Sequence, residues 1–124
     1  MDWQHLNLLE DFVSDHNVPE GADTSWHIVI SDDEILTIDG EHPWRPLNQD
    51  EWRWLDLERV AQHPLGHIGG APIYACEVDP EADNPEGYEF ETLWSFLGQV
   101  DEPVFYMIGR AKQIVEWHRN HQFC

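Results

Sequence analysis

Three residues at the C-terminus have the types and spacing for metal chemistry. His118, His121 and Cys124 follow one another at intervals of three. On a helix, the first two could present imidazoles on one face, and zinc accepts both imidazole and thiolate. A fourth ligand is not specified, and Cys124 falls where a helix should fray. The competing reading packs Trp117 and His118 against the protein body and leaves His121 to cap the helix end. It is the preferred one. Asp79, Glu81 and Asp83 alternate as calcium-loop carboxylates do. That loop needs Gly at its sixth position and Glu at its twelfth, where this chain has Asn84 and Phe90, so calcium is rejected. Glu77 with Asp79, or Asp32 with Glu34, could pair as acids, but nothing in the sequence puts either pair in a shared cleft. Cys76 reads as a half-buried strand residue with no basic partner to activate it. His27 and His67 read as sheet residues. Nucleophile-elbow, P-loop and dinucleotide fingerprints are absent from the sequence, and Gly69-Gly70 is turn chemistry.

The elements that would carry these residues follow from periodicity. Asp101 to Cys124 reads as one long helix, with Asp101 as N-cap and Glu102 and Pro103 in the first turn. Val104, Met107, Ile108, Ala111, Ile114, Val115 and His118 form its apolar stripe. Gly109 breaks helical propensity there, which predicts close packing against a neighbour. Trp26–Ile30 and Glu34–Ile38 form a hairpin around Ser31-Asp32-Asp33 and end at Asp39-Gly40. Leu65–Val78 forms a second hairpin, turning at Gly69-Gly70 and returning along Ile73–Val78. Residues 1–13 read as a short helix with Leu6, Leu9 and Val13 on one face, and 14–24 as a loop. Between residues 41 and 63, Asn48 and Glu51 resemble a capping box that starts a helix near Gln49. Trp52, Trp54 and Leu57 settle on neither period, and Pro64 should break the chain. Asp79–Gly87 is a polar loop, and Phe90–Leu97 a short helix leading into the last one. The fold class is therefore α+β, one domain over residues 1–124: a mainly antiparallel sheet built from hairpins, with the long C-terminal helix packed on it.

Charge narrows the function. Twenty-five acidic residues against six basic ones give a net charge of −19, and Lys112 is the single lysine. Such a surface repels phosphates and anionic lipid, which argues against direct nucleic-acid or membrane binding. Seven Trp and five Phe supply enough apolar area for a core. Two cysteines, no basic leader and no long apolar run imply a reduced, cytoplasmic setting.

The C-terminal segment Gly109-Arg110-Ala111, then Trp117-His118-Arg119-Asn120-His121-Gln122-Phe123-Cys124, resembles the stretch before the zinc ribbon in NADH pyrophosphatases of the Nudix superfamily. Leu65–Val78 is similar to a hairpin earlier in the same N-terminal domain. The resemblance implies a rudimentary, non-catalytic Nudix-like domain ending at the ribbon's first cysteine. Cys124 would then be a zinc ligand only in the parent protein and hold no metal in this chain. The family's catalytic box contains an Arg-Glu dipeptide and glutamates that hold magnesium or manganese. No Arg-Glu dipeptide occurs here, so no catalytic or cofactor-binding residue is assigned. By the same resemblance, the parent would cleave the pyrophosphate of NAD(H), or an NAD cap on RNA. This domain's partners would be the parent's zinc ribbon and Nudix domain and a second copy in a homodimer. Two alternatives are a free-standing acidic module that occupies a basic partner, and a small metal protein using His118, His121 and Cys124.

Overall fold

A computed structural model describes residues 12–14, 25–40, 44–68, 70–81 and 83–121. The first predicted hairpin forms as read: β2 (Trp26–Ser31) and β3 (Glu34–Ile38) pair antiparallel through Ile30↔Ile35 and Ser31↔Glu34. Its turn places Asp32 at φ 54°, a left-handed conformation that a short polar side chain tolerates. The second hairpin is longer than read. β5 (Arg59–Ile68) runs into β6 (Ala71–Val78) around Gly70 at φ 83°. Pro64 does not break the chain. It sits inside β5 opposite Tyr74, beside a register shift between Pro64 and Gly66, and a bulge is where a strand tolerates a missing N–H.

What joins the hairpins is a parallel pairing between β2 and β6, from Trp26↔Ile73 to Ile30↔Glu77. β1 (Phe12–Ser14) adds to β5, and β7 (Tyr88–Thr92) adds to β3. The sheet order is β1-β5-β6-β2-β3-β7, and the two-residue β4 (Leu47–Asn48) also pairs with β2. The architecture is α+β with a mostly antiparallel sheet, as expected.

Two other expectations change here. A helix over 1–13 fails where it can be checked, because Phe12 and Val13 are strand; earlier residues and most of the 14–24 loop lie outside the described residues. Phe90 to Thr92 is strand, followed by a 3₁₀ turn, Leu93–Phe96. The free edge of β3 offers backbone partners that a lone helical turn could not supply, and Tyr88–Thr92 takes them from Ile38 back to Glu34.

The sheet buries both faces, and strand alternation sorts the residues between them. Trp26, Ile28 and Ile30 of β2, with Ile73 and Ala75 of β6, meet Val104, Met107, Ile108, Ala111 and Val115 of α2 (Glu102–His121). The predicted stripe therefore lies against the strands, with Ile114 partly buried beside it. Val29 of β2 and Cys76 and Val78 of β6 form the opposite core with Leu36, Leu47, Trp52 and Leu55. That face is closed by the short helix α1 (Gln49–Trp54), which starts where the capping box predicts. Asn48 Oδ1 accepts from Glu51 N–H at 2.9 Å, and Glu51 Oε1 accepts from Asn48 N–H at 3.0 Å. The Asp101 carbonyl accepts the Phe105 N–H at 3.0 Å, opening α2 at the expected place. Gly109 is not there for close packing, since an added Cβ would meet nothing within 4 Å. Trp117 does not pack inward either; it is 62% exposed because it falls on the outer side of α2, opposite Val115.

Candidate functional site

The last turns of α2 bring together polar residues that the sequence keeps far apart. On the helix-facing side of the sheet, β6 places Glu77 after Ile73 and Ala75 in the same alternation, and β5 places His63 opposite Ala75. His118 arrives from α2, completing a group whose ligand-type atoms all lie within 4.8 Å of one another. The His63 and His118 rings are 4.7 Å apart at their centroids, and His118 Nδ1 is 3.5 Å from Glu77 Oε1. Glu77 is only 5% exposed. Its Oε1 and the Nε2 of His63 are both buried without a hydrogen-bond partner. Burial, and after it the nearby His118, holds the His63 imidazole below its ordinary pKa in spite of Glu77, so the ring is neutral near pH 7. Arg119 borders the group, with Nη1 2.9 Å from Asp32 Oδ1 and Nε 3.9 Å from Glu77 Oε2.

His118 is thus one of the residues the sequence singles out, but its neighbours are Glu77 and His63. The side chain of His121, and Cys124 altogether, lie outside the described residues. No pattern in the sequence assigns Glu77 to a cleft. Its burial comes from an odd position on β6, where alternation continues beneath the helix after the apolar run has ended. Asp79 is not its partner: Asp79 Oδ1 accepts the Glu81 N–H at 2.8 Å and shapes its own loop. Among the described residues, Asp79, Glu81 and Asp83 do not converge as a metal-ligand group.

A second His-containing constellation lies on the other face. Cys76 Sγ is 3.6 Å from His27 Nδ1 and donates to Gln62 Oε1 at 3.7 Å. The expectation that Cys76 has no basic neighbour is therefore wrong. The neighbour comes across the parallel β2–β6 pairing, which no local pattern announces. The pair is nevertheless inert. Burial pushes the Cys76 thiol far up, against the pull of Arg59. Burial, helped by Arg59, pushes His27 down to about 4. His27 Nε2 is 2.8 Å from Ser25 Oγ, and its ring stacks between Trp52 and Tyr74 at 5.5 and 5.4 Å. Neither a thiolate nor an imidazolium is favoured in that setting.

The family model for the NADH pyrophosphatase-like rudimentary NUDIX domain matches residues 24–117, from just before β2 to near the end of α2. The chain belongs to this family. As a rudimentary NUDIX domain it also resembles curated relatives named NAD-capped RNA hydrolase NudC. The protein of Stutzerimonas stutzeri is 37% identical over 76 residues, which cover 61% of this chain and 27% of that protein. That of Pseudomonas fluorescens strain Pf0-1 is 35% identical over 74 residues, covering 57% and 26%. That of Deinococcus radiodurans is 32% identical over 114 residues, covering 92% and 37%. The chain thus spans about a quarter to two-fifths of the length of these relatives. No solved structure matches it. Among the described residues, no helix is long and apolar enough to cross a membrane.

Proposed function

We propose that this chain is the non-catalytic assembly domain of a Nudix hydrolase that resembles NADH pyrophosphatase. The parent would split the pyrophosphate of NAD(H) into nicotinamide mononucleotide and AMP, or act on the NAD cap of an RNA as its relatives' name describes. The rudimentary-domain match over residues 24–117 carries this reading. The missing Arg-Glu dipeptide supports it, since the catalytic box requires one. Magnesium or manganese would be held elsewhere in the parent. The one convergent metal-ligand group among the described residues contains two imidazoles, whereas these ions favour carboxylate, carbonyl and water oxygens. The parent's structural zinc would use Cys124 together with cysteines beyond this domain.

The surface that this domain would offer in assembly is the outer side of α2. Tyr106, Arg110, Gln113 and Trp117 recur there at helical spacing. Tyr106 is 74% exposed, and exposed aromatics on one face are typical of interfaces. We assign this face to a second copy of the protein, which fits the homodimer expected of the parent. At a net charge of −19, the domain would not itself hold the RNA.

The reading frame beyond Cys124 is expected to encode Cys-x-x-Cys and a Nudix box. The protein carrying both should hydrolyse NADH as a dimer, measured by sedimentation and product analysis. In that protein, a Tyr106→Asp and Trp117→Asp double change should shift the species toward monomer while leaving the circular dichroism spectrum in place. Hydrolysis by residues 1–124 alone, or an unchanged dimer in the double variant, would overturn this assignment.

A further inference from the structure

We propose that His63, Glu77 and His118 form a binding site for a late first-row divalent cation of the zinc class, built across β5, β6 and α2. This site is separate from Cys124 and does not depend on the assembly role. Two imidazoles and one carboxylate make a recurrent protein ligand set for zinc, which leaves a fourth position for solvent. Imidazole selects for such ions over calcium or magnesium.

The geometry is nearly in place. With metal–ligand bonds of about 2.0–2.1 Å, tetrahedral ligands sit about 3.3 Å apart. The His118 Nδ1 to Glu77 Oε1 separation is already 3.5 Å. The three ligand-type atoms lie within 4.8 Å of each other, so His63 and His118 need draw in by at most about 1.5 Å. The His118 side chain is 33% exposed near the end of α2, so solvent rather than packed core borders that movement.

The electronic state also fits. A buried carboxylate oxygen and a buried imidazole nitrogen without hydrogen-bond partners are costly unless something engages them, and a cation would engage both. Arg119 faces Glu77 from the other carboxylate oxygen, Oε2, at 3.9 Å, while its shorter contact is to Asp32 at 2.9 Å. It can therefore steady Glu77 as an outer neighbour and leave Oε1 for the ion. The acidic surface as a whole concentrates cations around the domain.

The test uses the 124-residue chain carrying Cys124→Ser, so that the terminal thiol cannot contribute, stripped with chelator and titrated with zinc against a chromophoric competitor. One equivalent should bind. Cobalt in its place should give d–d bands without thiolate charge transfer. His118→Ala, at a half-exposed position that should fold normally, and the near-isosteric Glu77→Gln should each weaken zinc at least tenfold with an unchanged circular dichroism spectrum. A folded chain that binds no zinc overturns the proposal. So does binding lost with Cys124→Ser alone, or binding indifferent to both His118→Ala and Glu77→Gln.

Discussion

The two faces of the sheet carry almost the same chemistry in opposite circumstances. Beneath α2, His63 and His118 flank Glu77 near the edge of the core, and two of their polar atoms are left unpaired. Beneath α1, His27 and Cys76 are sealed by Trp52 and Tyr74, and each has a polar neighbour. A histidine beside an acid or a thiol looks reactive in both places. On the α1 face, burial penalises every charged form and the groups behave as packing. On the α2 face, the helix runs past the apolar core and delivers His118 where the cover is incomplete, so lone pairs remain available. Residue type proposes a chemistry, and the depth of cover decides whether it can operate.

The largest effect that would test this contrast is acid sensitivity from the sealed face. His27 has an ordinary pKa of 6.5 and a folded-state value of about 4. Between these values the unfolded chain binds a proton that the folded chain refuses. Stability present above pH 6.5 is therefore lost as pH falls toward 4, by on the order of 3 kcal/mol. Urea denaturation at pH 7 and pH 4.5 should show this loss in the wild type, and His27→Gln should remove most of it. An equal pH slope in the two proteins would mean that the face is not sealed.

A smaller effect concerns the lid of that same face. Asn48→Ala removes the acceptor that starts α1, the helix holding Trp52 over His27, and should cost about 1 kcal/mol by denaturant titration. Arg45 reinforces the start through Nη1 and Nη2 contacts of 2.7 and 3.0 Å to the Glu51 carboxylate. Although burial opposes it, this pairing holds Glu51 below the usual carboxylate range. The smallest effect is a gain on the other face. Gly109→Ala adds a methyl group into open space on α2 and should raise stability by up to about 1 kcal/mol, read as a higher melting temperature. A loss instead would place an unseen neighbour against that side of the helix.

Much of the fold was legible because it is local. Both hairpins, the capping box at Asn48 and Glu51, and the apolar stripe of α2 rest on spacings of two to seven residues, and all are present. The misreadings occur where distant chain decides. Pro64 survives in a strand because the register shift spares its missing N–H, and Phe90 becomes strand because β3 has a free edge. Of the α2-face site, His118 was visible in another grouping and Glu77 was weighed only beside Asp79, while nothing in the sequence joined His63 to Glu77. They stand 14 residues apart on β5 and β6, and neither strand's pattern refers to the helix.

Alternation and helical period, which depend only on neighbouring residues, determined which side of each element would be apolar. The sequence also determined the net charge and the absence of the catalytic box. Only the tertiary structure decided that β2 and β6 lie parallel, because that contact closes a loop of more than 40 residues and has no local signature. From that one pairing follow the His27–Cys76 contact on one face and the place of Glu77 under α2 on the other. The chemistry of both faces is therefore a consequence of how two hairpins dock, while the hairpins themselves were written in the chain.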